Sequence, residues 1–121
     1  MRDFRQLEVW EVAHQLVLRV YKVTQDFPKH ELYGLTSQMR RCSASIAANI
    51  AEGCGRTGNG DLHRFLSMAM GSAVELEYFV LLSRDLGLVS GSHEELNART
   101  RRVQRMLASL IRKVDAGRVR T

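Results

Sequence analysis

At 121 residues, 45% hydrophobic and 26% charged, the chain has the size and composition of one globular domain with a single real core. Two cysteines outside any Cys-x-x-Cys pair exclude a disulfide framework, the charged start Met1-Arg2-Asp3-Phe4-Arg5-Gln6 lacks a signal core, and no apolar run approaches the roughly 20 residues of a membrane span, so a cytoplasmic protein without a membrane partner is expected. The net charge of +5 is uneven: residues 1–92 hold 10 Lys/Arg and 10 Asp/Glu, whereas residues 93–121 hold 8 against 3 and carry the whole excess.

The apolar spacing predicts four helices within one domain spanning 1–121, at about 3–26, 36–53, 61–86 and 93–115. In the first, Asp3 and Gln6 form a weak capping box. Trp10, Ala13, Val17, Val20 and Thr24 mark its inward stripe, with His14 and Tyr21 on the flank. Phe27-Pro28 ends it, because the residue before Pro is pushed out of helical geometry. After a connector from Lys29 to Gly34, Thr36 or Ser37 can cap the second helix.

That second helix holds the stretch Ser43-Ala44-Ser45-Ile46-Ala47-Ala48-Asn49-Ile50-Ala51-Glu52-Gly53. Ile46, Asn49, Ile50 and Gly53 share one face, and Ala44, Ala48 and Ala51 line an adjacent one where a neighbouring backbone can come close. The glycine-rich run from Gly53 to Gly60 breaks the chain. In the third helix Leu62, Phe65, Leu66, Ala69, Ser72, Ala73, Leu76, Val80 and Ser83 lie on one side, and Gly87 is a natural C-cap. Ser92 and Glu95 form a second capping box, and Leu96, Val103, Leu107, Leu110 and Val114 make the last seam. Asp115 to Thr121 reads as a basic tail. No stretch alternates like a strand, so the expected fold is all-α, an antiparallel up-down four-helix bundle.

Several chemical readings fail on context. Gly53-x-Gly55-x-x-Gly58 matches a dinucleotide fingerprint in letters only, since it follows a helix and lies in no βαβ unit. His14, His30, His63 and His93 sit on four different elements, and Cys42 and Cys54 lack ligand spacing, so no metal site and no cofactor are expected. Asn49 with Glu52, and Ser72 with Glu75, form two pairs three residues apart on facing helices. Two glutamates could serve acid–base chemistry, but no activated nucleophile accompanies them. The expectation is a polar network that fixes helix register or faces another subunit, with Glu52 and Glu75 at least partly buried and hydrogen-bonded. No catalytic residue is assigned.

Arg101, Arg105 and Arg112 lie on the face of the last helix opposite its seam, with Arg102 and Lys113 close by. Outward charges can be mere solvation. Segregation of the entire charge excess, and the use of Arg in seven of its eight cations, favour contact with phosphate. These five residues are the candidate nucleic-acid contacts, without aromatic residues between them for base stacking.

The chain resembles the four-helix-bundle family first noted in intervening sequences of bacterial 23S ribosomal RNA genes, which also includes accessory variability proteins of diversity-generating retroelements. The residues that carry the likeness are Phe4, Leu7, Val9-Trp10 and Ala13; Phe27-Pro28, Glu31, Tyr33-Gly34-Leu35-Thr36 and Gln38; Arg40-Arg41, Ser45-Ile46 and Asn49-Ile50-Ala51-Glu52-Gly53; then Phe65-Leu66, Ala69, Gly71-Ser72 and Glu75-Leu76-Glu77. The family usually has Arg before the Gly-Ser pair. This chain has Met70 there, so no ion pair is carried over to that position. The resemblance implies a ring-forming bundle, typically a homopentamer with a basic surface, and in retroelement members an adaptor for a reverse transcriptase and RNA or DNA. It implies no enzyme. The competing expectation is a protein-interaction module whose basic stripe meets an acidic protein.

Overall fold

The computed structural model describes residues 2–89 and 91–117, and the end of the basic tail, 118–121, lies outside them. Four long helices follow in order: α1 (Glu8–Thr24), α2 (Ser37–Cys54), α3 (Asn59–Asp85) and α4 (His93–Asp115), with no strand among the described residues. The first helix is shorter than its spacing predicts. Asp3 accepts from the Arg5 amide at 3.0 Å and starts only a 3-10 turn, Phe4–Gln6, because Leu7 is extended (φ −85°, ψ 125°). Between α1 and α2 run a 3-10 turn, Lys29–Glu31, and a kinked turn, Leu32–Thr36, in which Gly34 leaves helical geometry. Helix α3 begins two residues before the expected Asp61, taking Asn59 and Gly60 into its first turn.

Cross-helix contacts fix the directions. The start of α2 meets the end of α1 through Arg40 and Thr24, and the start of α2 meets the end of α3 through Met39 and Ser83. His63 near the start of α3 lies 2.6 Å from Asp115 at the end of α4, and Arg19 late in α1 pairs with Glu95 early in α4. Each pair joins the end of one helix to the start of its neighbour, so the bundle runs up and down. Helix α2 packs most extensively on α3, and α3 on α4.

The core is one continuous apolar cluster in which Leu16, Met39, Ile46, Ile50, Leu62, Leu66, Leu76, Leu96 and Leu107 are fully buried. On α3 the buried side matches the predicted stripe, with Ser72 at its half-buried edge. On α1 the stripe is displaced: Val9, Ala13, Leu16, Val20, Val23 and Thr24 are buried, whereas Trp10 and Val17 are at the margin. Trp10 instead anchors the first turn, stacked on His14 at 5.0 Å and meeting Phe4 edge-on at 4.9 Å. Both α1 and α4 turn out to include a buried threonine, Thr24 and Thr100, whose hydroxyls donate to the carbonyls four residues earlier. A Thr bonded within its own helix can enter a core at little cost.

Two caps differ from expectation. Neither Thr36 nor Ser92 makes a side-chain cap bond. Thr36 is already helical because the turn after the Gly34 kink runs straight into α2, and Glu95 is drawn across to Arg19. Gly87 does close α3, at φ 75°, with the Leu88 amide returning to the Ser83 carbonyl at 2.9 Å.

The expectation that no segment reaches membrane-spanning character needs correction. Helix α3 is 27 residues long and contains a window of mean hydropathy 1.5, a third of which is buried in the bundle. That hydropathy has two sources, the core side and outward apolar residues that include Met68, Val74 and Leu81. Val74 and Leu81 form an outward row with Tyr78.

Cys42 and Cys54 are free and wholly buried. Burial, assisted by Glu75 and opposed by Arg41, pushes the Cys42 thiol from 9.0 up to about 12. Burial also raises Cys54. The folded protein therefore resists thiolate formation, while the unfolded chain ionises near pH 9. Stability should be intact below about pH 9 and fall as pH rises toward 12, a decline that urea titrations at stepped pH would measure. A Cys42→Ser variant should show a shallower decline.

Candidate nucleic-acid interface

Helix α4 presents its cations because its seam is strictly one-sided. Leu96, Thr100, Val103, Leu107 and Val114 are buried, which turns Arg101, Arg105 and Arg112 to the far side. All five candidate contacts are exposed. From Arg101 to Arg112 the row covers roughly 16 Å at the helical rise.

The five are not equivalent electrostatically. Arg101 lies 3.7 Å from Glu77 of α3, and Arg102 lies 3.8 Å from Glu8 of α1. No carboxylate is within ion-pair reach of Arg105, Arg112 or Lys113 among the described residues. Exposed pairs near 4 Å are weak and yield easily to a phosphate. The unopposed charge is thus densest in the second half of α4.

The polar pairs between α2 and α3 separate. Asn49 donates to the Ser45 carbonyl at 2.8 Å and to the Ser45 hydroxyl at 3.0 Å, and Ser45 meets Ser72 of α3 hydroxyl to hydroxyl at 3.0 Å. Asn49 and Ser72 therefore belong to one half-buried helix-crossing network, with Ser45 as the link. The glutamates do not join it. Glu52 is exposed and pairs with Arg56 one turn along its own helix, at 2.7 Å, and Glu75 is exposed. Both are exposed rather than partly buried, while Glu52 does make the hydrogen bond expected of it. Glutamate at these two positions points off the crossing face, where water solvates it better than a serine network would. Among the described residues no three His, Cys, Asp or Glu side chains gather as a metal site. Met70, in place of the family's usual Arg, is half-buried and packs on the core.

Two surface features escaped the reading of periodicity. One is the outward apolar row on α3, Val74, Tyr78 and Leu81, in line with Gly71. Its spacing of three and four residues was available, but the inward stripe of the same helix shows the same period. The other is a cleft where Tyr21, Tyr33, Arg40 and Arg41 meet. These residues come from three elements, so no local pattern marks them.

Fold and surface together define a helical bundle whose last helix presents an exposed row of cations. The chain belongs to the 23S rRNA-intervening sequence protein family, whose model matches residues 5–109. It is similar to a crystal structure of a protein with unknown function from the S23 ribosomal protein family of Bacteroides thetaiotaomicron. That likeness has 23% identity and a TM-score of 0.78 over 86% of this chain and 95% of the other, and it establishes shared fold alone. No curated protein matches the chain.

Proposed function

We propose that this protein is a non-catalytic, homo-oligomeric adaptor of the cytoplasm that holds RNA or DNA on the outward face of α4. The observation that carries the reading is the placement of the whole charge excess in the last 29 residues, with Arg105, Arg112 and Lys113 exposed and unopposed among the described residues. Such a surface binds phosphate with little sequence preference. A reverse transcriptase is the protein partner that the retroelement branch of the resemblance suggests, and a pentameric ring is the assembly it suggests. Titrating salt against binding of a labelled RNA tests the reading. Affinity should fall steeply with salt, and binding that ignores salt would reject a phosphate contact.

Self-association has its own support. Gly71 is exposed in the middle of α3, and a methyl added there would meet nothing within 4 Å. Glycine in a helix interior costs about 1 kcal/mol against Ala, and nothing within the protomer requires it. Beside it stand Val74, Tyr78 and Leu81, which are 52%, 56% and 40% exposed. Close approach of another copy would explain both facts. Gly71→Ala should therefore raise protomer stability by about 1 kcal/mol in urea melts at low concentration, yet weaken association in sedimentation velocity. Tighter association in that variant would argue against this face.

The same apolar row favours a second reading, a protein-interaction module that binds no nucleic acid. Partners retained from nuclease-treated lysate, together with no RNA affinity at low salt, would select it.

A further inference from the structure

A second basic surface lies away from α4, and it differs in having aromatic rings. Glu31 accepts from the Leu35 amide at 3.2 Å and braces the kinked turn Leu32–Thr36. Leu35 and Thr36 are buried at its end, and Phe27 is buried ahead of it. Gly34 departs from helical geometry inside the turn (φ −110°, ψ −112°), and a Cβ there would come within 2.8 Å of the Glu31 carboxylate. An anchored turn thus thrusts Tyr33 outward, where it is 92% exposed.

Tyr33 lines an open cleft of about 480 Å³ together with Tyr21, Arg40 and Arg41. Arg40 is fixed in place: its Nε donates to Thr24 Oγ1 at 2.9 Å, and its guanidinium lies 4.8 Å from the centre of the Tyr21 ring. Arg41 is exposed and donates to the neutral Gln38. Among the described residues neither arginine has a carboxylate within ion-pair reach. A smaller cleft adjoins through Leu32, Thr36 and Arg40 and brings Lys29 to the same groove.

We propose that this groove receives an unpaired nucleotide of a single-stranded nucleic acid, its base stacked on Tyr33 and its phosphates held by Arg40 and Arg41. A free aromatic face beside paired guanidinium groups is the combination that single strands require and that duplexes cannot use. A cleft of this size suits a nucleotide. A second protein copy fits less well, because covering both arginines without an acid would strand two charges. The site is separate from α4 and does not depend on it.

The test is fluorescence anisotropy with a labelled single-stranded RNA and a blunt RNA hairpin whose two strands are joined by a non-nucleotide linker, so that it offers no unpaired base. Tyr33→Ala should weaken the single strand about tenfold or more and leave the hairpin unchanged, while Tyr33→Phe and Tyr33→Trp retain binding. Arg41→Ala should flatten the salt dependence for the single strand by about 0.7 in log–log slope. No binding of the strand by the unaltered protein, or equal binding by Tyr33→Ala, overturns the proposal. So does a smaller assembly for Tyr33→Ala in sedimentation velocity, which would make the ring a contact between copies. Arg105→Ala with Arg112→Ala separates the two surfaces. If that variant alone loses affinity, for strand and hairpin together, the cleft is rejected and the α4 reading stands. If only Tyr33→Ala loses the strand, the α4 reading fails and the cleft stands.

Discussion

Replacing Gly53 with Val is expected to destabilise the protein by about 3 kcal/mol, more than any surface change considered above. Gly53 is buried where α2 meets the start of α3. A Cβ at this position would stand 3.0 Å from the Phe65 Cβ and 3.1 Å from a Leu62 methyl. The Phe65 Cβ is one bond from its backbone and cannot rotate away, so α3 itself must shift. Valine adds two more methyls in the same space and crowds the preceding helical turn. Gly53→Ala is milder: its clash of about 1–3 kcal/mol is offset by the roughly 1 kcal/mol that Ala gains over Gly in a helix. Urea melts should show midpoints in the order Gly53, Ala, Val with little change in slope, and Tm should fall by roughly 10 °C for Val. A Gly53→Val protein as stable as the original would mean that α2 and α3 do not approach closely here. Gly71→Ala, with open space around its Cβ, is the matched control on the other face.

The contrast between these glycines shows what a sequence can and cannot display. Both stand in helices, and both belong to short motifs that carry the family resemblance. Gly53 is needed inside the protomer, because Phe65 and Leu62 fill the space a side chain would take. Gly71 has no such neighbour, and its reason is sought outside the protomer. Spacing alone assigns neither. The same limit explains α1. Trp10 and Leu16 lie about 120° apart on α1, so an apolar stripe can be drawn through either. The indole packs at the end against Phe4 and His14 while Leu16 enters the core.

Four helices, their order and most of α2, α3 and α4 burial were legible because apolar spacing is a property of each segment by itself. The polar network was legible by half. Asn49 and Ser72 do face each other through Ser45, whereas Glu52 and Glu75, only three residues along, have rotated off the contact. A displacement of three residues leaves a net offset of about 60° around the helix, enough at the edge of a contact to carry a charged side chain from crossing to solvent. The cleft at Tyr33 was not legible at all. It exists because the backbone kinks at Gly34 before α2, and spacing alone does not place Tyr33 and the α2 arginines on one cleft.

On α4 the expected result is that Arg105→Ala with Arg112→Ala flattens the salt dependence of nucleic-acid binding by about 1.8 in log–log slope for a duplex, and about 1.4 for a single strand. Each lost phosphate contact removes about one released counterion from the equilibrium. Between roughly 50 and 200 mM salt, the unaltered protein should then lose about tenfold more duplex affinity than the variant. The size of the effect depends on those two guanidinium groups being exposed and unopposed, which they are among the described residues. Arg101→Ala with Arg102→Ala supplies an internal comparison. Glu77 and Glu8 lie 3.7 and 3.8 Å from these two groups, so part of their charge is already met. Their removal also frees two carboxylates that repel phosphate. That pair should weaken binding through repulsion as much as through lost contacts, with a smaller change in slope. All four side chains are on the surface of a helix whose seam they do not touch, so thermal stability should stay within about 0.5 kcal/mol of the parent. Equal slopes for the parent and the Arg105–Arg112 variant, with unchanged affinity, would remove nucleic acid from this face and leave the basic row to an acidic protein.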